Sequence, residues 1–303
     1  MLDLYKQPGV LVFIHIPYIN GSYAMNCLQV LRSYLDLLEC HLSDFMEEWR
    51  VYRNKRDAYR EWHYSQENTA DWKNDRYEMA DQIAFISIDL RYKEKDASGF
   101  VSLSATVKRW DWGHIPMTKD ERKVFIHMTK RLWLLLDTTE LLEITKQAVL
   151  ILGASYACID SNRIVPASIY TAPFRLCSEN THLIDPEERI PGIFWWQYIS
   201  EKMIRAVSCT HEYLIKAPCD YSEIGYEHQA QGVCLQLCKK LSLKPGESEL
   251  LAQKLQLRAY LEPFLYHPSI DLLLQYHNDP FTRYDFELMP MTQEEIRQLS
   301  IRE

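Results

Sequence analysis

The chain has 303 residues, of which 47% are apolar and 25% charged, so it can bury a real core as one large domain or two smaller ones. Its formal net charge of −8 argues against a nucleic-acid binder, which carries a basic patch, and suits a basic protein partner. Eight cysteines are scattered without a CxxC pair, which argues against a secreted disulfide scaffold and for reduced thiols in a cytosolic protein.

In chain order, Val10 to Ile16 is short, apolar and β-branched, and reads as a buried strand. Its histidine, and the lack of a basic leader and small-residue cleavage site, set it apart from a signal peptide. Asn20-Gly21 marks a turn and Ser22 suits an N-cap. Ala24, Leu28, Leu31, Leu35 and Leu38 then recur at helical spacing, predicting a helix to about Glu39. Phe45 to Arg53 reads as a strand, and Lys55 to Ala80, polar but dense in aromatics, as helix interrupted by loop. Gln82 to Tyr92 and Gly99 to Trp110 read as strands of an antiparallel hairpin or as neighbours, joined by a charged loop. Val101, Leu103, Ala105 and Val107 share one face of the second. Thr118 to Leu152 reads as helical from a Thr118–Glu121 capping box, with a break at Asp137-Thr138-Thr139 and a stop at Gly153. Ser155 to Ile159 follows as a short extended segment.

Ile164 to Ile184 is irregular, and Pro186 and Pro191 bracket the acidic Glu187-Glu188 turn. The expectation is one domain over 1–303 with, if it has two lobes, a boundary near 161–190. Ile193, Trp196, Ile199, Met203 and Ile204, widened by Trp195 and Tyr198, then predict a buried helix after Pro191-Gly192. Tyr213 to Lys216 and Gln231 to Leu241 read as strands, the second with Val233, Leu235 and Leu237 on one face and Cys234, Gln236 and Cys238 on the other. A helix opens at Ser248 or Glu249 and runs toward Pro263 with Leu251, Leu255 and Leu261 inward; the tail ends in a charged helix after Thr292. The fold class expected is α+β, with mixed, mainly antiparallel sheets and packed helices; a loose duplication into two similar halves stays open. No apolar run approaches the roughly 20 residues that span a bilayer. A soluble, cytoplasmic chain without membrane contact is expected.

Motifs for chemistry are missing. Cys209, His211, Cys219, His228, Cys234 and Cys238 place sulfur and nitrogen donors in one stretch, but without the two tight pairs zinc favours; packed thiols are commoner. No GxSxG, HExxH, SxxK, GxGxxG or GxxxxGK[ST] occurs, although a Cys–His dyad assembled by the fold stays open. The paired carboxylates Glu47-Glu48, Glu187-Glu188 and Glu294-Glu295 are adjacent and diverge on regular elements. No catalytic residue, metal ligand or cofactor is assigned, and a binding function gains weight.

Four segments, in order, resemble the type VI secretion immunity family: Gly9-Val-Leu-Val-Phe-Ile-His-Ile-Pro17 with its Leu-rich helix, Gly153-Ala-Ser-Tyr-Ala157, Arg189-Ile-Pro-Gly-Ile-Phe-Trp195, and Arg258-Ala-Tyr-Leu-Glu-Pro-Phe-Leu-Tyr266. They span about residues 8–266. Where that family carries Gly-Gly after the third segment, this chain has Arg205-Ala-Val-Ser208. The resemblance implies an immunity protein without chemistry of its own, which binds a cognate effector toxin and silences it by stoichiometric occlusion. A basic nuclease effector would suit an acidic inhibitor. Acid beside aromatic, or clustered acid, marks the candidate contact residues: Asp71 and Trp72; Trp110, Asp111 and Trp112; Asp185, Glu187 and Glu188. The rival readings are an adaptor that loads effectors onto a secretion machine and a thiol- or zinc-dependent enzyme. The oligomeric state is left open.

Overall fold

A computed structural model of the chain describes residues 9–16, 23–39, 45–53, 83–92, 101–106, 122–161, 189–190, 192–226, 229–241, 243 and 248–265. These form nine strands, six α-helices and a short 3-10 helix (Glu262–Phe264), an α+β fold with mainly antiparallel pairing. The chain divides into two compact units, Met1–Ala157 and Cys158–Glu303.

In the first unit, β1 (Gly9–Ile16) is buried along its whole length. A run without polar alternation is what a strand covered on both faces requires. β1 pairs antiparallel with β5 (Arg122–Thr129), which brings Phe13 against Phe125 at a ring-centroid distance of 5.0 Å. β2 (Phe45–Arg53), β3 (Ile83–Tyr92) and β4 (Val101–Thr106) continue the order β2-β3-β4-β5-β1, every pair antiparallel. The expected antiparallel pairing of β3 and β4 is present, with Phe85 opposite Thr106, and Leu103 is buried.

α1 (Tyr23–Glu39) buries Cys27, Val30, Leu31, Tyr34, Leu35 and Leu38, a stripe at helical spacing. The region expected to be helical from Thr118 is instead strand β5 and then two helices, α2 (Lys130–Leu135) and α3 (Thr138–Ile151). Val124, Ile126, His127 and Met128 are buried on both faces of β5, and such a run carries no period that tells strand from helix. The expected break at Asp137 is present: its carboxylate caps α3 by accepting from the Thr139 N–H at 2.8 Å. At the other end Gly153 takes φ +56°, while the Gly153 and Ala154 N–H groups donate to the Leu150 and Val149 carbonyls. This is a Schellman stop, and it needs the left-handed conformation glycine adopts at little cost. Tyr34 Oη donates to Thr145 Oγ1, which donates in turn to the Leu141 carbonyl, so α1 is fastened to α3 in a dry core. Burial pushes the Tyr34 phenol well above its ordinary pKa. His15 Nδ1 lies 2.6 Å from Ser155 Oγ, and the Ser155 N–H donates to the His15 carbonyl.

The second unit holds most of β6 (Tyr156–Ser161), then β7 (Trp196–Ser200), β9 (Gln229–Gln236) and β8 (Asp220–Tyr226), in the order β6-β7-β9-β8. The long aromatic helix expected after Pro191-Gly192 is not there. Trp196–Ser200 is a strand, antiparallel to β9, and only Glu201–Ala206 is helical, as α4. Ile193 to Ile199 are buried on every side, so the apolar pattern is continuous, and a continuous run is read equally well at either period. Pairing decides: Trp196 to Ser200 lie opposite Gln236 to Gly232 of β9, which takes up the backbone hydrogen bonds of this segment. Tyr213 to Lys216, expected as a strand, belongs to α5 (His211–Ile215) and its C-cap; Thr210 Oγ1 caps the start by accepting from the Tyr213 N–H at 3.2 Å. α6 (Ser248–Leu261) turns Leu257 and Leu261 inward, but Leu255 is exposed and the buried neighbour is Lys254.

Lys254 is 1% and Asp160 0% exposed, and the two form an ion pair. The same carboxylate accepts from the Trp195 N–H at 2.8 Å and from the Ser161 N–H at 2.7 Å. One buried acid therefore ties β6, the entry to β7 and α6 together. Trp195 is also held at its far end, where Nε1–H donates to the Cys238 carbonyl at 2.8 Å. The segments Arg189-Ile190 and Pro263-Phe264-Leu265 meet: Arg189 Nη1 donates to the Pro263 carbonyl at 2.6 Å, and Ile190 bridges Leu265 in parallel.

Candidate partner-binding face

Half-buried polar residues, with exposed Glu223 at their rim, gather in the second unit where α4, α5 and β8 meet. Ser200 caps α4 through Met203 N–H and so places Glu201 in its first turn. One Glu201 oxygen accepts from Arg205 Nε at 3.0 Å, one turn on; the other lies 2.7 Å from His211 Nε2. The opposite ring nitrogen, His211 Nδ1, lies 2.9 Å from Tyr221 Oη and 3.3 Å from Glu223 Oε1. Tyr221 Oη donates to that same Glu223 oxygen at 2.7 Å. The imidazole at the start of α5 thus bridges a carboxylate on α4 and a carboxylate on the edge strand β8.

The electrostatics follow from these contacts. The Glu201 hydrogen bond, aided by Glu223, raises the His211 pKa against a smaller burial penalty. His211 in turn lowers that of Glu201, and Tyr221 followed by His211 lowers that of Glu223. With a carboxylate on each side the ring is shifted toward its doubly protonated form and serves as a bracket between Glu201 and Glu223. Each ring nitrogen has an oxygen partner, and no thiol lies among its hydrogen-bond partners in the described residues.

Three of the described thiols are shifted as well. Burial pushes Cys219 up to about 12 and raises Cys158 and Cys209, the reverse of the depression an activated cysteine shows. Among the described residues no group of three or more His, Cys, Asp or Glu side chains is placed to hold a metal ion. Cys209 and Cys234 are buried, and Cys238 donates to the Lys240 carbonyl; His228 lies outside the described residues. Nor is any described helix long and apolar enough to cross a membrane.

On the same helix, Tyr213 packs against Tyr260 with ring centroids 4.5 Å apart and planes tilted by 33°, and each hydroxyl donates to the other's backbone carbonyl, at 2.5 and 2.8 Å. Phe264 meets Tyr213 edge-on at 5.2 Å. This reciprocal clasp fixes α5 on α6 and leaves Ile215 exposed.

The contact residues expected from the sequence, Asp71, Trp72, Trp110, Asp111, Trp112, Asp185, Glu187 and Glu188, all lie outside the described residues. The residues that do converge, Glu201, His211, Tyr221 and Glu223, carry no signal in the sequence that groups them. Ser200-Glu201 and Thr210-His211-Glu212 each carry a capping signature that places a helix start, but the 20-residue span from Glu201 to Tyr221 is closed only by the fold.

No family model matches the chain, and no curated protein matches it in sequence. Among solved structures it is similar to a Pseudomonas aeruginosa T6SS protein, PA0821, with a TM-score of 0.57 and 10% identity, over 97% of this chain and 85% of that one. At that identity the likeness is one of fold.

Proposed function

We propose that the chain is a type VI secretion immunity protein, which binds a cognate antibacterial effector and silences it by stoichiometric occlusion. The observation that carries this reading is the fold likeness to a T6SS protein across 97% of the chain, in line with the four ordered segments that resemble the immunity family. Two of those segments, around Arg189 and around Pro263, are held against each other by a hydrogen bond and a β-bridge. That contact gives both a structural role, as expected of residues that define a scaffold rather than a reaction.

The side-chain chemistry supports a binder over an enzyme. The described thiols with shifted pKa are held protonated, and the bracketed histidine already has a partner at each nitrogen. The net charge of −8 suits a basic effector, a nuclease being the natural case, approached by electrostatic steering. Occlusion of that kind takes an interface of standard size, about 1,600 Å² in total, and slow dissociation.

Co-expression with the product of the neighbouring gene tests the reading. Rescue of growth together with a stable stoichiometric complex is the expected result. A complex without rescue would favour an effector-loading adaptor, and the absence of both complex and rescue would overturn the reading.

A further inference from the structure

We propose that the outer edge of β8 is the docking strand, and that its occupant is a basic, extended segment of the partner protein, added to the sheet as a further antiparallel or parallel strand. The proposal rests on the binding function above and names its surface.

Among the described residues β8 is the last strand in its order and pairs with β9 alone. Its other edge therefore offers a row of N–H and C=O groups. Asp220, Ser222, Glu223, Gly225 and Tyr226 are exposed, and Tyr226 presents 54% of its surface. Proteins ordinarily blunt such an edge with lysine, proline, a bulge or an inward charge. Asp220–Tyr226 holds no lysine, arginine or proline, and its register shift falls at the far end, between Ile224 and Gly225. The five residues before it, Asp220 to Ile224, keep a regular ladder opposite Gln236 to Gly232.

This edge is also braced in advance. From behind, His211 reaches Tyr221 and Glu223, while the capped α4 anchors His211 through Glu201. A strand already fixed in extended form loses little entropy when a second strand joins it. Strand addition draws affinity from the main chain and specificity from alternate side chains.

Charge chooses the occupant. Successive residues face opposite sides of a strand, so Asp220 and Ser222 share one face of β8, while Tyr221 and Glu223, already held by His211, share the other. A lysine or arginine on the Asp220 face of the incoming strand finds an acid directly across or diagonal to it. A second copy of this chain is disfavoured by the same residues. Antiparallel pairing of two β8 strands about Ser222 would set Tyr221 against Glu223 and gather two Asp220 and two Glu223 side chains on one ribbon.

The full chain is titrated with an acetylated Lys-Val alternating heptapeptide and, separately, with its Glu-Val counterpart. Affinity is followed by fluorescence anisotropy and the docking position by hydrogen–deuterium exchange. The expected result is a preference of about tenfold or more for the lysine peptide, slowed exchange at 220–226, and loss of that preference in the double variant Asp220→Lys/Ser222→Lys. Both replaced side chains lie off the His211 bracket, and the variant's thermal unfolding reports its fold. Equal affinity for the two peptides, or protection confined to other segments, would overturn the proposal. So would concentration-dependent protection of 220–226 without peptide, which would make a second copy the occupant. In co-expression, rescue by the wild type and by the folded double variant alike would sink the β8 surface while leaving immunity standing. Failure of the wild type to rescue would remove immunity, and the peptide preference would then decide the edge by itself.

Discussion

Replacing Lys254 by methionine probes the buried acid that joins three elements of the second unit. Both partners are essentially without solvent, at 1% and 0% exposure, and the Lys254 ammonium is the cation that opposes the Asp160 carboxylate. In Lys254→Met the carboxylate keeps the Trp195 and Ser161 N–H groups, two neutral donors, and loses the cation. Methionine follows much of the lysine stem, so little cavity is added, and the cost is chiefly that of an uncompensated buried charge. Breaking such a pair costs about 3–5 kcal/mol. For a folding unit of this size, that corresponds to a fall in Tm of about 6–20 °C. The second variant carries Asp160→Asn as well. The replacement amide is neutral and its oxygen still accepts from the Trp195 N–H, so the double variant is expected to recover at least half of the loss. Urea unfolding is followed by tryptophan fluorescence, to which the buried Trp195 and Trp196 report from beside the pair, and by circular dichroism, since two units need not unfold together. A Lys254→Met protein within about 1 kcal/mol of wild type would refute the reasoning, as would a double variant no more stable than the single one.

Two helix stops give opposite expectations. Gly153 and Ser208 both sit at positive φ, +56° and +58°, just past a helix. Gly153→Ala meets no atom within 4 Å, so its cost is conformational alone, about 1 kcal/mol, whereas Ser208→Gly relieves a similar strain and raises stability by up to about 1 kcal/mol in equilibrium unfolding. Gly232→Ala is different in kind: its Cβ would stand 2.4 Å from the Ile199 carbonyl oxygen and 2.9 Å from Ser200 Cα, both backbone, so β7 and β9 must separate locally. A loss of about 2 kcal/mol or more, or failure to accumulate as folded protein, is expected there.

Two of the histidines, His127 and His211, respond to pH with opposite sign. Burial holds His127 down to about 4, so between pH 6.5 and 4 the unfolded chain binds a proton that the folded one refuses. Stability from this site is full above 6.5 and declines by about 3 kcal/mol as pH falls through that window; His127→Gln should flatten that limb in urea titrations. His211 is raised above 6.5, so its contribution is full below 6.5 and lost as pH rises through the folded value, while lowered Glu201 contributes above 4.5 and is lost on acidification. His211→Ala is therefore expected to remove more stability at about pH 6 than at about pH 9, and a cost independent of pH would show that the ring serves by packing alone.

Local chemistry in the sequence decided much of this fold. Val10 to Ile16 has no polar partner face and became a strand buried throughout; the stripe Leu31, Leu35, Leu38 became the inner face of α1; Asp137 and Gly153 start and stop α3 because a cap and a left-handed residue act within one turn of the chain. Tertiary structure decided what those short-range rules leave degenerate. The run Ile193 to Ile199 is apolar at both periods, and its last part became strand β7 because β9 stands beside it to take its hydrogen bonds. Lys254 in an apolar stripe looks like an error until Asp160, 94 residues earlier, arrives to neutralise it. β8 carries no apolar alternation, since an edge exposed on both faces has no core side to mark. The face it forms with Glu201 and His211 exists only because two capped helices and a strand are folded onto one another: hydrogen bonds between side chains reach about 3 Å, and residues 10 and 12 positions apart come within that reach only through the path of the backbone.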